Sequence, residues 1–283
     1  MRNEEPLLVQ QAKKYLQILS ASPRKKLGQN FMIHESDLSF IADALSCDAG
    51  EQVLEIGPGL GFLTRFLLQK RLKVTAVEKD KSYAKFLRDY FSQTSFKVFE
   101  KDILKVNLKT DLTLAGPVRL YGNIPYSITT PILEWMIGQR NQIREAVLTT
   151  QLEVADRLTA VPGAKAWGSL SIFLQVVADV QKIRKIEASS FYPAPKVDSA
   201  VIKISFLDKL RYVIGNEAKF FSLVRRAFQK RRKTLLNALK DEREARYSKS
   251  NLLRAFKRSK IDPIRRAETL SIKEWAELDG LTG

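Results

Sequence analysis

A glycine-rich loop and a more distant acidic residue form the first candidate site. The segment Glu55–Gly61 reads Glu-Ile-Gly-Pro-Gly-Leu-Gly and lies between a predicted strand and a predicted helix. Glycines there permit positive φ and let backbone N–H groups approach a ligand closely, which makes Gly57, Gly59 and Gly61 candidate cofactor residues. Glu78 ends the next predicted strand, where a carboxylate accepts hydrogen bonds from ribose hydroxyls. The G-x-G-x-G spacing favours S-adenosylmethionine, which has no pyrophosphate to bind; a purely structural turn is the alternative.

The segment Gly122–Tyr126 suits chemistry on an exocyclic amine. The N6 lone pair of adenine is delocalised into the ring, so this nitrogen is a poor nucleophile. The amide oxygen of Asn123 and the carbonyl of Ile124 are placed to accept both amino hydrogens, which frees the lone pair to attack a methyl carbon on sulfur. Pro125 fixes φ, and Tyr126 offers a ring face on which a base stacks. A proline turn with a core tyrosine is the alternative.

Two more residues are candidates for the same pocket. Asp102 follows the third predicted strand, and a carboxylate at that position faces the ligand crevice of an open α/β sheet. It is a candidate acceptor for the amino group of the cofactor's adenine, and a helix N-cap is the alternative. Phe191 precedes a proline-rich loop and is a candidate to cover the second face of the target base, unless it is an ordinary core residue.

Strand-like and helix-like segments alternate through the first two-thirds of the chain. This alternation predicts an α/β, Rossmann-like doubly wound parallel sheet. The predicted strands are Gln52–Ile56, Lys73–Val77, Phe96–Phe99, Arg119–Tyr121 and Ala146–Thr150, and the predicted helices are Gly61–Gln69, Ser82–Phe91 and Pro131–Ile137. Two later β-rich segments, Val180–Ile186 and Ala200–Phe206, predict a hairpin at the edge of the sheet.

Charge and periodicity change together near residue 207. Residues 209–283 hold 20 Lys/Arg and 9 Asp/Glu, which is +11 of the total net charge of +17. Apolar residues there recur at helical spacing and predict a small all-helical domain. The first predicted helix has an apolar face formed by Phe221, Val224, Phe228, Leu235 and Leu239. A second helix is predicted at Asn251–Lys260, and a third begins with a capping box at Ser271–Glu274. We therefore predict an N-terminal extension (1–23), a catalytic domain (24–207) and a helical basic domain (208–283).

The strongly basic composition predicts a polyanionic partner. The densest cluster supplies six cations within nine residues, and three more precede the glycine loop. These candidate RNA-binding residues are Arg225, Arg226, Lys230, Arg231, Arg232 and Lys233, with Arg24, Lys25 and Lys26 near the N-terminus. A solvated basic helix is the alternative for the larger cluster.

Several classes of protein are disfavoured. A single cysteine, Cys47, excludes an intramolecular disulfide, and a single histidine, His34, leaves no second histidine for a zinc site, so we predict no metal. Charges interrupt every apolar stretch before it reaches the length of a membrane span, and the N-terminus does not resemble a secretory signal. We expect a cytoplasmic protein without membrane contact.

Taken together, the motifs resemble those of the ribosomal RNA adenine N6,N6-dimethyltransferase family, and most closely its small-subunit (16S) branch, from about Lys25 to the C-terminus. The segments that carry the resemblance are Lys26–Met32, Glu55–Gly61, Asn123–Tyr126, Phe191–Ser199 and Phe228–Asn237. The resemblance implies S-adenosylmethionine as cofactor and S-adenosylhomocysteine as product. It also implies that Asn30, Met32 and Gly57 lie beside the methionine and ribose part of the cofactor, that Glu78 holds the ribose and Asp102 the adenine, and that Asn123 contacts the cofactor too.

The implied substrate is a pair of adjacent adenosines in the 3′-terminal hairpin loop of 16S rRNA, in the assembling small subunit. We expect a monomer, because nothing in the sequence requires an oligomer. Target bases must leave their stack to reach the methyl donor. Two alternatives stay open: a large-subunit rRNA adenine methyltransferase that confers antibiotic resistance, and a non-catalytic RNA-binding assembly factor. An NAD-dependent dehydrogenase is more distant. Met32 and Ser127 depart mildly from the family's pattern.

Overall fold

The computed structural model describes residues 7–20 and 29–282, which fold into two compact units. The first unit comprises the described residues of Met1–Ala155 together with Val180–Phe206, and the second comprises Asp156–Asp179 together with the described residues of Leu207–Gly283. The predicted domain boundaries stay a prediction. The units differ from them in one respect, because residues 156–179 group with the C-terminal helices. The buried Trp167 illustrates why: its indole N–H donates to the carbonyl of Leu270 at 3.1 Å.

The first unit contains a seven-stranded sheet, which confirms the predicted α/β class. Its strands are β2 (Gln52–Ile56), β3 (Lys73–Glu78), β4 (Phe96–Glu100), β5 (Val118–Asn123), β6 (Ile143–Gln151), β7 (Ala178–Ile186) and β9 (Ser199–Phe206). The order is β4-β3-β2-β5-β6-β9-β7, with parallel pairing from β4 to β6 and β9 antiparallel to β6. The predicted edge hairpin is therefore confirmed, because β9 and β7 end the sheet.

Helices and a small two-stranded sheet complete this unit. The helices are α1 (Leu7–Ile18), α2 (Glu35–Asp43), α3 (Phe62–Gln69), α4 (Lys81–Tyr90), α5 (Thr129–Gly138) and the first residues of α6 (Leu152–Leu158). The small sheet pairs β1 (Phe31–Met32) antiparallel with β8 (Phe191–Tyr192). Its residues pack with α1, α2 and α3 in one apolar core. Phe31 and Met32 are buried members of this core, so its packing sets their position.

Helix α1 shows why part of the predicted N-terminal extension belongs to the first unit. Leu8, Ala12 and Leu16 recur every four residues, so they share one helix face, and all three are buried in the core. Tyr15 continues that contact on the side of α4, where its hydroxyl donates to the hydroxyl of Tyr90 at 2.9 Å. Residues 1–6 and 21–23 of the extension lie outside the described residues.

The second unit is helical, as predicted, but its first long helix is divided. The helices are α7 (Ser169–Gln175), α8 (Glu217–Gln229), α9 (Leu235–Leu239), α10 (Lys249–Ser259) and α11 (Ile272–Thr282). The prediction of one helix face from Phe221 to Leu239 was wrong, because the helix stops at Gln229 and the buried face of α8 is formed by Phe220, Leu223, Val224 and Ala227. None of the described helices combines the length and the apolar character needed to cross a bilayer.

Tertiary hydrogen bonds explain the break between α8 and α9. On a continued helix, Lys230 and Lys233 would be neighbours three residues apart, and their like charges would repel. Arg231 leaves the helical path to donate to the carboxylate of Glu268 at 2.9 Å and to the carbonyl of Lys165 at 3.2 Å. The first N–H groups of α9 then bond to carbonyls of a loop, with Leu235 N–H donating to Arg265 at 2.7 Å. Periodicity alone does not contain these partners.

The capping box at the start of α11 is confirmed. The backbone N–H of Ser271 donates to the Glu274 carboxylate at 2.8 Å, and the Glu274 N–H donates to the Ser271 hydroxyl at 3.2 Å. Two donors that the helix itself leaves unsatisfied are thereby paired. The signal was readable in the sequence because both partners lie within one helical turn.

The packing of α1 predicts a large difference between two adjacent leucines. We expect Leu8→Ala to lower the free energy of unfolding by about 2–5 kcal/mol, because it opens a cavity in a core where the side chain is only 1% exposed. Leu7→Ala is the matched control; Leu7 is 63% exposed, and its loss should cost about 0.5 kcal/mol or less. Urea denaturation of both variants measures the difference, and equal small effects would contradict the packing of α1.

Candidate active site

A cavity of about 390 Å³ lies in the first unit, beyond the carboxyl ends of the central parallel strands. Parallel pairing accounts for its position, because Ile56 at the end of β2 is level with Val77 on β3 and Gly122 on β5. The loops that follow these strands therefore start side by side. The predicted site residues that line the cavity are Asn30, Met32, Gly57, Gly59, Glu78, Asp102, Asn123, Ile124, Pro125 and Tyr126.

The glycine loop opens the cavity between β2 and α3. Gly57 has a φ of 62°, and a side chain added there would meet no atom within 4 Å, so its backbone borders open space. Its N–H donates to the carbonyl of Val77 at 2.9 Å and ties the loop to β3. At Gly59, a Cβ would lie 3.1 Å from the ring of Phe31, so the absence of a side chain there also permits close packing. Both glycines meet the requirement for backbone approach to a ligand.

Gly61 is different from the other two glycines. It does not line the cavity, and it precedes α3 with a φ of 78°. A Cβ at this position would lie 2.8 Å from both Leu87 and Phe91. Close packing against α4 therefore explains why a glycine is needed at position 61, and the predicted cofactor contact of Gly61 stays a prediction.

Glu78 organises the cavity wall from the end of β3. One carboxylate oxygen accepts the N–H of Gly59 at 3.1 Å, and the other accepts the N–H of Asp80 at 2.8 Å. The side chain is buried, and burial raises the pKa of its carboxyl, while the two backbone donors act in the opposite direction. Each carboxylate oxygen has a second lone pair, so Glu78 retains capacity to accept from a ligand hydroxyl.

Glu55 is a second buried carboxyl in the cavity wall, and its residue type and position alone predict no separate role for it. It accepts the hydroxyl of Thr64 at 2.6 Å. The pKa of Glu55 is raised from 4.5 to about 8, mainly by burial; the Thr64 hydrogen bond acts to lower it, and the charge of Glu78 acts to raise it. Thr64 was missed by sequence reasoning, because a threonine in an amphipathic helix carries no signal for its partner one loop away.

Asp102 lies at the cavity edge as predicted, and it is also an N-cap. Its Oδ1 accepts the N–H of Leu104 at 3.2 Å, and its Oδ2 accepts from the ammonium of Lys79 at 2.8 Å. The Lys79 hydrogen bond holds the pKa of Asp102 below its ordinary value, so the group is ionised. The predicted cofactor contact and the N-cap alternative are therefore compatible, because a capping carboxylate keeps lone pairs for a ligand.

Asn123 connects the end of β5 to the N-terminal segment. Its Nδ2 donates to the backbone carbonyl of Asn30 at 3.0 Å. With the amide nitrogen bound in this way, the side-chain oxygen is the group left to accept a hydrogen bond. The two residues are 93 positions apart in the chain, so only tertiary folding brings them together.

The remainder of the catalytic loop is held by neighbouring strands. The N–H of Ile124 donates to the carbonyl of Thr149 at 3.2 Å, and the Ile124 side chain is buried. Tyr126 follows Pro125 in a single 3₁₀ turn and borders the cavity. Its hydroxyl lies 2.6 Å from the hydroxyl of Ser199, and burial raises the pKa of the phenol.

The structure does not bring Phe191 to the cavity. Its side chain is 3% exposed, and its backbone pairs with Met32 in the small sheet. It belongs to the apolar core behind the site, which is the alternative considered from the sequence. Its stacking role therefore stays a prediction. Arg24, Lys25 and Lys26 lie outside the described residues.

The basic cluster of the second unit divides into paired and exposed cations. Arg226 donates to Asp241 at 2.7 Å and to Glu244 at 2.8 Å, and Arg231 binds Glu268 as described above. The guanidinium of Arg225 lies 5.3 Å from the ring centroid of Phe173. In contrast, the exposed side chains of Lys230, Arg232 and Lys233 form no ion pair within residues 7–20 and 29–282. In that same part of the chain, no three His, Cys, Asp or Glu side chains are grouped so as to hold a metal ion.

The buried Glu55 predicts a specific pH dependence of stability. Its pKa is higher in the folded protein than in the unfolded chain, so only the unfolded state loses this proton as the pH rises from about 4.5 to about 8. The free energy of unfolding should therefore fall across that window, and Glu55→Gln should remove this part of the fall. Urea denaturation of both proteins from pH 5 to 8.5 measures it. Glu187→Gln, at an exposed position, is the control; parallel profiles for wild type and Glu55→Gln would contradict the prediction.

Comparison with known proteins identifies the family. Residues 21–278 match the family model for Ribosomal RNA adenine dimethylase. The chain is 38% identical over 255 residues to Ribosomal RNA small subunit methyltransferase A of Clostridium botulinum (strain Okra / Type B1), covering 90% of this chain and 92% of that protein. It is also 38% identical over 261 residues to the protein of the same name from Clostridioides difficile (strain 630), covering 91% of this chain and 90% of that protein.

Solved structures agree with this assignment. A dimethyladenosine transferase from Plasmodium falciparum superposes with a TM-score of 0.70 at 25% identity, covering 88% of this chain and 95% of that one. The 23S rRNA methyltransferase ErmE superposes with a TM-score of 0.67 at 25% identity, covering 89% and 99%. The resemblance inferred from the motifs is thereby confirmed, and the chain belongs to the ribosomal RNA adenine dimethylase family of methyltransferases.

Proposed function

We propose that this methyltransferase transfers methyl groups from S-adenosylmethionine to the N6 atoms of two adjacent adenosines in the 3′-terminal hairpin loop of 16S rRNA. Family membership and the small-subunit relatives support the substrate. The position of Asn123 is the main structural support for the proposed chemistry. It borders the same cavity as Gly57 and Glu78, and Asn30 holds its amide nitrogen so that the amide oxygen is the acceptor.

The residues of the cavity fit this cofactor. Gly57 leaves open space where its backbone borders the cavity, and Glu78 presents a buried carboxylate with free lone pairs to a ribose. Asp102 provides an ionised acceptor for an adenine amino group at the other side. Asn30 and Met32 supply a polar and an apolar wall next to the glycine loop. When bound, S-adenosylmethionine supplies an electrophilic methyl group on a positively charged sulfur.

The catalytic loop prepares the nucleophile. Asn123 Oδ1 and the Ile124 carbonyl accept the two amino hydrogens of the target adenine, which directs the nitrogen lone pair away from the aromatic ring. Tyr126 stacks on the base and fixes its plane. These groups are oriented before the substrate arrives, because hydrogen bonds to Asn30, Thr149 and Ser199 hold them. Such preorganised acceptors lower the barrier without a general base, and the surplus proton leaves to solvent after transfer.

Exposed cations of the second unit bind the RNA in this proposal. Lys230, Arg232 and Lys233 are available for phosphates, whereas Arg226 and Arg231 are engaged in ion pairs that hold the unit together. The cavity is built within one chain, which suits a monomeric enzyme. The partner we propose is 16S rRNA in the assembling small subunit, and such a substrate implies action in the cytoplasm.

The proposed chemistry predicts that Asn123→Ala loses methyl transfer. We expect the single-turnover rate to fall by about 100-fold or more, as is usual when one preorganised polar group is removed from an active site. RNA affinity should persist, since the variant removes no cation. Asn107→Ala is the matched control, because Asn107 is exposed and caps a turn outside the cavity.

The assay measures radiolabelled methyl transfer to undermethylated small subunits, followed by nucleoside analysis. Detection of N6,N6-dimethyladenosine at two adjacent positions of 16S rRNA by primer extension supports the proposal. Modification of 23S rRNA instead would favour the large-subunit resistance activity. RNA binding without any transfer by the wild-type protein would favour an assembly factor, and undiminished transfer by Asn123→Ala would overturn the catalytic assignment.

The division of the basic cluster makes a separate prediction about RNA binding. Replacing Lys230, Arg232 and Lys233 together by alanine should weaken binding to 16S rRNA and reduce the slope of log affinity against log salt by about 2. The thermal midpoint should not change, because these side chains form no ion pair in the described part of the chain. A triple alanine variant at Lys85, Arg88 and Lys97, which are exposed in the first unit, controls for net charge. Equal salt slopes for the two variants would contradict the assignment.

A further inference from the structure

Ser199 begins strand β9 and is fully buried, and the proposed function uses it only as a hydrogen-bond partner of the catalytic loop. Its hydroxyl lies 2.6 Å from the hydroxyl of Tyr126, which is the residue assigned to stack on the target base. A buried hydroxyl requires a hydrogen-bond partner, and the structure provides one that borders the cavity. The contact joins the edge hairpin to the catalytic loop, two segments that the sequence gives no reason to connect.

The surroundings of Ser199 make it a rigid anchor. It pairs with Gln151 in the β6–β9 ladder, two residues beyond the Thr149–Asn123 pair of the β5–β6 ladder. The preceding residue is fixed as well. The Asp198 carboxylate accepts from the ammonium of Lys185 at 2.8 Å and from the N–H of Ala188 at 3.1 Å.

Tyr126 is much less constrained by its own backbone. It begins a single 3₁₀ turn, with no side-chain cap, immediately after Pro125. The end of the ring that carries the hydroxyl is held by Ser199, while the loop determines only where the Cβ lies. Burial raises the pKa of the phenol, so the hydroxyl keeps its proton at neutral pH and the hydrogen bond persists.

We propose that Ser199 is a positioning residue of the methyl-transfer site: its hydroxyl holds the Tyr126 phenol and thereby sets the angle at which the ring meets the target adenine. This inference rests on the proposed function. It gives the Phe191–Ser199 motif a structural purpose at its end, where β9 starts, in addition to the core packing of Phe191 at its beginning. Small errors in the plane of the base displace the reacting nitrogen, so the contact should affect the rate of transfer rather than cofactor affinity.

A double-mutant cycle tests the proposal. The variants are Ser199→Ala, Tyr126→Phe and the combination, assayed as single-turnover transfer to undermethylated small subunits at saturating cofactor. Each single variant removes the same hydrogen bond and should slow transfer by about fivefold, the worth of an ordinary hydrogen bond. The double variant should be no slower than the slower single variant, because the bond is lost only once. The dissociation constant for S-adenosylmethionine should stay within about twofold of wild type, because no cofactor contact is removed.

Ser205→Ala is the matched control. Ser205 lies in the same strand and donates to Glu145 at 3.3 Å, far along the ladder from the catalytic loop. It should leave the transfer rate within about twofold of wild type, as expected for a substitution that touches no site residue.

Two results would overturn the inference. One is a wild-type rate for Ser199→Ala, and the other is a double variant whose loss is the product of the two single losses, about 25-fold. A purely structural role for Ser199 gives that multiplicative result, because packing damage does not depend on the Tyr126 hydroxyl. Asn123→Ala, run alongside, separates the two levels. If Asn123→Ala abolishes transfer while Ser199→Ala has no effect, only the positioning role fails. If Asn123→Ala also retains full transfer, the proposed function fails.

Discussion

Parallel pairing of β2 with β3 on one side and with β5 on the other is the constraint on which the site depends. The ladders place Ile56 level with Val77 and with Gly122, so the glycine loop, Glu78 and Asn123 all emerge at one edge of the sheet. None of these three segments forms a binding site by itself, because each is only the start of a loop. They form one site because parallel strands all place their carboxyl ends on the same side of the sheet.

Backbone and side-chain hydrogen bonds then convert this edge into a fixed cavity. Glu78 holds the glycine loop and the start of α4 with its two carboxylate oxygens, while Glu55 is satisfied by Thr64 from within α3. The two acids thus have different environments although both are buried. Burial is the largest influence on the pKa of both carboxyls; backbone N–H groups, including those of Gly59 and Asp80, act against it at Glu78, and the Thr64 hydroxyl acts against it at Glu55. With a pKa of about 8, the Glu55 carboxyl favours its neutral form at pH 7.

The cations of the second unit show that net charge and available charge are distinct quantities. Asp241 accepts from both Arg226 and Arg243, and Asp279 pairs with Arg246, so several of the arginines that make the C-terminal part basic form ion pairs within it. Side chains such as Lys230 and Arg232, which extend from the segment between α8 and α9, are exposed. Composition predicts a basic surface, but ion pairing decides which of its side chains can contact a phosphate.

The sequence by itself determined the elements and the residue types at the loop starts. Strand β2 has the predicted bounds, the capping box at Ser271 is present, and most residues proposed for the cofactor line one cavity, because these signals lie within a few neighbouring residues. Only the tertiary structure determines which distant residues form hydrogen bonds with one another. The Asn30–Asn123 and Tyr126–Ser199 hydrogen bonds join residues far apart in the chain, and contacts to Arg231 and Leu235 end a helix that periodicity extends. Periodicity records which face of an element is apolar, but it holds no information on which distant polar group will satisfy a particular donor.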